Sequence, residues 1–109
     1  MSISTITLKK TKKITLLVQK FDVSNMQEIK QKINKELKSK SSDIVIDLSL
    51  VSFLDSSGLS VIIATFKQLS AKNKKLQLCG LREQPLELLK ITQLYKIFTI
   101  IDNCNSIKE

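Results

Sequence analysis

The sequence predicts an α/β fold: a small mixed, mostly parallel β-sheet with an antiparallel edge hairpin and crossover helices. Two observations carry this. Apolar residues repeat at two periods, every second residue in some segments and every third or fourth in others. The two kinds of segment alternate as β-β-α-β-α-β-α-β, and a helix between successive strands is the connection that parallel pairing requires. A chain of 109 residues has material for one core, so a single domain over residues 1–109 is expected.

Each element has its own justification. Ile3-Ser4-Thr5-Ile6-Thr7-Leu8 is a strand by its alternation and its β-branched residues. Ile14 to Val18 is a second, more continuously apolar strand, and the short lysine-rich stretch Lys9 to Lys13 suits a hairpin between them. Met26, Ile29, Ile33 and Leu37 then fall at helical spacing among Gln, Glu and Lys, a helix that Ser24 or Asn25 can cap. Asp43-Ile44-Val45-Ile46-Asp47-Leu48 is the clearest strand, apolar on both faces and therefore central, covered by helices on at least one side. Ser49 to Gly58 is a turn-rich link anchored by Val51, Phe53 and Leu54. Leu59 to Leu69 is a second helix, with Leu59, Ile62, Ile63, Phe66 and Leu69 on its apolar stripe. Lys75 to Cys79 is a strand ended by Gly80, Pro85 opens a third helix over Leu86 to Leu94, and Ile97 to Ile101 adds a last short strand.

Composition narrows the function classes. The N-terminus alternates and lacks the apolar run of a leader peptide, and no apolar stretch approaches the roughly 20 residues of a membrane span, so the cytoplasm is the default location. Cys79 and Cys104 match no spaced metal motif, and they read as two partly buried free thiols in a reducing compartment. The net charge of +8 raises nucleic acid as a partner. Against it, Arg82 is the single arginine, and lysine is a point charge without arginine's bidentate fork. The lysines are also scattered, with almost no aromatics among them for base stacking, so a solvated surface that suits an acidic partner is the better reading.

In open α/β sheets functional groups gather where strands end and helices begin. Three links qualify: Gln19 to Asn25, Ser49 to Gly58, and Gly80 to Pro85. No histidine is present, which removes a Ser-His-Asp triad and histidine-based zinc or acid–base chemistry. Gly58 and Gly80 are the only glycines and cannot build a phosphate-binding loop. Asp22, Asp47 and Asp55 suit turns and caps. The chain is therefore expected not to be an enzyme and to need no cofactor or metal. Asp55-Ser56-Ser57-Gly58 leaves two readings open: serines that cap the second helix, or a serine that accepts a phosphate from another protein's kinase site beside a helix N-terminus that favours an anion.

The run Asp43-Ile44-Val45-Ile46-Asp47-Leu48-Ser49-Leu50-Val51-Ser52-Phe53-Leu54-Asp55-Ser56-Ser57-Gly58-Leu59 closely resembles the signature of STAS-domain anti-sigma factor antagonists. Phe21-Asp22-Val23-Ser24-Asn25 falls where that family has a Leu-Asp turn before its first helix, and Leu86 to Ile101 is similar to its last helix and strand. The resemblance implies the STAS fold and a partner switch. The unphosphorylated antagonist binds an anti-sigma factor that is also a serine kinase and so frees the sigma factor. Phosphorylation at the second serine of the motif, here Ser57, breaks the complex, and a separate phosphatase restores it. Ser56 is then a turn residue. The implied docking surface comprises Asp22, Ser24 and Asn25 with Asp55, Ser56, Gly58 and Leu59. The resemblance also admits a subunit of a stressosome-like or membrane-transport assembly, or a nucleotide- or lipid-binding module. Departures are Gln19, where the family usually has glycine, and Asn73 and Lys74, which replace glycines common before the fourth strand. The lysine excess has no counterpart in the resemblance.

Overall fold

The computed structural model describes residues 2–39 and 42–105. Its elements are β1 (Ile3–Thr7), β2 (Thr11–Leu16), β3 (Lys20–Phe21), α1 (Met26–Ser39), β4 (Asp43–Asp47), β5 (Phe53–Leu54), α2 (Ser56–Ala71), β6 (Leu76–Cys79), α3 (Glu83–Ile91), a 3-10 turn (Leu94–Lys96) and β7 (Thr99–Ile101). The main sheet has the order β1-β2-β4-β6-β7. β1 runs antiparallel to β2, with Thr5 opposite Ile14, and β2, β4, β6 and β7 are mutually parallel. The expected mixed sheet with an antiparallel edge hairpin is what forms.

The pleat decides which residues reach the core. Ile14 and Leu16 of β2, Ile44 and Ile46 of β4, and Leu76 and Leu78 of β6 are buried in one cluster. They meet Ile29, Ile33 and Leu37 of α1 and Leu59, Ile62 and Leu69 of α2. Each such side chain contributes about 1.5–3 kcal/mol through the water it releases. On the alternate positions Val45 lies in register between Lys13 and Gln77, whose aliphatic stems help to bury it. Lys12 points toward α1, where its Nζ donates to the Glu36 carbonyl at 3.1 Å and pairs with the Glu36 carboxylate at 3.6 Å.

Several boundaries differ from expectation, each for a local reason. α2 starts at Ser56, a turn before the first apolar stripe residue, because Asp55 adopts an extended conformation and its side chain accepts from the amides of Ser57 and Gly58. α3 starts at Glu83, so Pro85 lies inside its first turn, and it stops at Ile91 before Gln93, whose φ is +63°. The links Gln19 to Asn25 and Ser49 to Gly58 contribute β3 and β5 to a second, two-stranded parallel sheet that no periodicity could announce. Asn25 accepts the first helical bond of α1 from Ile29 through its carbonyl, but its side chain turns away from the helix amides. Finally, Cys79 and Cys104 are not free thiols: they form a disulfide, with Cα atoms 5.1 Å apart. Tertiary structure makes the pair, since β7 turns back at Asp102 and lays the following residues against the end of β6. Gly80, at φ +69°, fits there because a Cβ would stand 3.0 Å from the Cys104 Sγ and 2.9 Å from the Ser49 Cβ.

Candidate functional site

The small sheet joins two of the sequence's three candidate links. Phe21 pairs with Leu54 and Lys20 with Phe53, while the Gln19 carbonyl accepts from the amides of Ser52 and Phe53 at 2.8 and 3.1 Å. Gln19 therefore serves through its backbone, which any side chain permits. The Asp55 amide donates to the Phe21 carbonyl at 3.3 Å, which carries the pairing up to the cap of α2.

Both outer edges of this two-residue sheet are closed by side-chain amides. On the β3 side, Asn25 Oδ1 accepts from the Asp22 amide at 3.1 Å and Asn25 Nδ2 donates to the Lys20 carbonyl at 2.7 Å. On the β5 side, Gln84 Oε1 accepts from the Leu54 amide at 2.7 Å and Gln84 Nε2 donates to the Leu54 carbonyl at 2.9 Å. Each amide offers the donor and acceptor that a neighbouring strand would otherwise supply. Gln84, from the first turn of α3, was not among the residues singled out from sequence. Its role has no local signature, because it depends on α3 lying beside β5.

Gly58 locks the next layer. A Cβ on it would fall 2.4 Å from the Phe21 carbonyl oxygen, 2.8 Å from Leu54 Cδ1 and 2.9 Å from the Phe21 ring. The need is close approach of α2 to β3, not an unusual φ. With Gly58 in place, the first turn of α2 sits directly against the Asp22 turn, so Ser57 and Asp22 belong to one surface.

On that surface Ser56 is exposed and Ser57 is half-buried. The Ser57 hydroxyl makes no hydrogen bond to the described residues, whereas its amide donates to Asp55 Oδ1 at 2.9 Å and its carbonyl accepts from the Ser60 hydroxyl at 2.6 Å. The helix N-terminus is thus not open to an anion in the way the sequence suggested, because the Asp55 carboxylate already holds the Ser57 and Gly58 amides. Asp22 accepts from both the hydroxyl and the amide of Ser24. The Ser24 hydroxyl first, then its amide, and then the charge of Lys20 hold the Asp22 carboxyl below its ordinary range. Ser24 is exposed and Asn25 half-buried. Leu59 stands apart from the rest of the expected docking residues: at 5% exposure its side chain packs into the core and supports the surface from beneath. Val23 and Phe53 project from it as exposed apolar side chains. A cleft lined by Ser52, Arg82, Glu83, Gln84 and Glu87 lies along β5 and α3. Among the described residues no helix is long and apolar enough to cross a membrane.

The geometry agrees with comparisons to known proteins. The model of the STAS domain matches residues 6–107. An anti-sigma F factor antagonist of Paenibacillus polymyxa is 37% identical over 60 residues, which cover 55% of this chain and 51% of that protein. The chain thus spans about half the length of that curated relative. Among solved structures, an anti-sigma factor antagonist from Mycobacterium paratuberculosis superimposes with a TM-score of 0.84 at 21% identity, covering 94% of this chain and 86% of the other. The Bacillus cell fate determinant SpoIIAA in its phosphorylated form gives a TM-score of 0.70 at 18% identity, covering 92% of this chain and 91% of the other. These two structures share the fold with it. With the family model covering nearly all of its length, the chain belongs to the STAS-domain family.

Proposed function

We propose that this chain is a phosphorylation-gated anti-sigma factor antagonist, a binding switch without catalysis of its own. In its unmodified form it binds an anti-sigma factor that is also a serine kinase, which frees the sigma factor. Phosphate on Ser57 dissolves the complex, and a separate phosphatase resets it in the cytoplasm. The observation that carries this reading is the Ser57 hydroxyl, without a hydrogen-bond partner among the described residues, beside amides that Asp55 already occupies. A phosphate there brings roughly −1.5 to −2 charges next to the Asp55 carboxylate, which already holds the Ser57 and Gly58 amides. The fold keeps its cap while the partner meets bulk and negative charge. Asp22, Ser24, Asn25, Asp55 and Ser56 form the rim of that surface in this reading, with Gly58 and Leu59 fixing its shape.

The test is direct. Incubation with ATP and the cognate kinase should place one phosphate on Ser57 by mass spectrometry. Ser57→Ala should bind the kinase like wild type and stay unmodified. Ser57→Asp should bind at least about tenfold more weakly, which corresponds to about 1.4 kcal/mol. Equal binding of Ser57→Asp and wild type would refute the gate.

A further inference from the structure

Six of the lysines that look scattered in sequence are gathered by the topology. β2, β4 and β6 are parallel, so the segments that lead into them share one end of the sheet, opposite Ser57. The backbone shows the convergence directly: the Asp43 amide donates to the Lys10 carbonyl at 3.2 Å, the Ile44 amide to the Lys75 carbonyl at 2.9 Å, and the Lys75 amide to Asp43 Oδ1 at 2.9 Å. Lys9 and Lys10 sit in the β1–β2 turn, Lys38 at the end of α1, and Lys72, Lys74 and Lys75 between α2 and β6. Five of these six are exposed and Lys74 is half-buried. Among the described residues the ion pairs are Lys12–Glu36 and Lys32–Glu28, and neither involves this set. Complementing helix dipoles accounts for Lys38 and Lys72 at helix ends, but not for Lys9, Lys10 or Lys75, which lie in turns or at a strand entrance.

The same end carries exposed apolar side chains. α3 runs back from the Ser57 end, and Ile97 lies two residues before β7, whose entrance at Thr99 pairs with Gln77, so Ile97 is at the same end of the sheet as Lys75. Ile91 is 70% exposed, Ile97 53% and Tyr95 42%. We propose that this lysine-rich end is a docking face for an anionic lipid bilayer surface, on which the protein rests without inserting a helix and from which the Ser57 end faces water. Lysines at the headgroup level with a tyrosine and isoleucines beside them form the combination that an acidic membrane interface accommodates. Nucleic acid fits less well: the single arginine, Arg82, is at the other end, and phosphates give Ile91 and Ile97 nothing to bury.

Flotation of the purified chain with phosphatidylcholine vesicles, with and without phosphatidylglycerol, tests this. Binding is expected only to the phosphatidylglycerol vesicles, and it should fall as salt is raised. The triple variant Lys72→Gln, Lys74→Gln, Lys75→Gln should partition roughly a hundredfold more weakly. Ile97→Ser should also weaken it, which pure phosphate binding would not show. Absence of flotation at low salt overturns the proposal, as does equal flotation with uncharged vesicles. Displacement from charged vesicles by mixed-sequence duplex DNA or by polyglutamate at matched charge also overturns it, in favour of a nucleic acid or an acidic protein. The wild-type salt titration stands even if a variant fails to fold.

Discussion

At the carboxyl ends of the parallel strands, side chains hold the backbone in place: Asn25 and Gln84 close the edges of β3 and β5, Asp55 caps α2, and Cys79 bonds Cys104. At the opposite end the backbone holds itself for the most part, with Asp43 Oδ1 accepting from the Lys75 amide as the side-chain exception. The Lys74 amide donates to the Leu69 carbonyl at 2.8 Å and the Asn73 amide to Ser70 at 3.1 Å, a helix stop in which Asn73 takes φ +58° where glycine is customary. The first end is a platform on which a displaced side chain moves the surface. The second leaves most of its lysines to the solvent, so their charge can be chosen almost without regard to folding. Constraint and freedom are divided along one axis, and the proposed switch lies at the constrained end.

Substitutions at the two ends should therefore behave differently. The largest effect is expected from the Cys79–Cys104 disulfide, which closes a separation of 25 residues and should contribute about 3 kcal/mol by limiting the unfolded chain. Thermal unfolding with and without a reductant checks this: wild type should melt lower when reduced, and Cys104→Ser should be insensitive. Gly58→Ala comes next, at roughly 1–3 kcal/mol, because the new methyl group must push α2 off the Phe21 carbonyl. A denaturant midpoint unchanged from wild type would show that the two halves of the surface are not tightly joined. Gln84→Leu strands the amide and carbonyl of Leu54, at about 1–3 kcal/mol, and should expose the β5 amides to faster hydrogen exchange while α1 keeps its protection.

The Asp22 turn predicts a smaller, pH-dependent effect. Its folded carboxyl is held low, so its contribution is complete above the ordinary carboxylate range and is lost as pH falls through the lowered value. An NMR titration should place the Asp22 midpoint below that of an exposed aspartate, and Ser24→Ala should move it back up. The smallest effect belongs to the lysine end. Lys72→Gln or Lys74→Gln should change stability by no more than about 0.5 kcal/mol, since neither side chain has a partner among the described residues. A loss comparable to that of Gln84→Leu would erase the distinction between the two ends.

What the sequence by itself determined is whatever repeats locally. Alternation in Ile3–Thr7, the continuous apolar run Ile44-Val45-Ile46, and helical spacing through Ile29, Ile33 and Leu37 announce elements because each residue's face follows from its own position in the chain. The Asp-Ser-Ser-Gly run was legible in the same way, as a cap and first turn contained within four residues. Tertiary structure alone decided the rest. β3 and β5 are two residues long and have no period to read; they become strands because they lie beside one another. Gln84 acquires a role when α3 delivers it 30 residues away from Leu54, and Cys79 acquires a partner when β7 returns along the sheet edge. The lysines show the same logic at the scale of the whole molecule. Parallel pairing brings the entrances of β2, β4, β6 and β7 to one end, so charges far apart in the chain become neighbours that no local window could reveal.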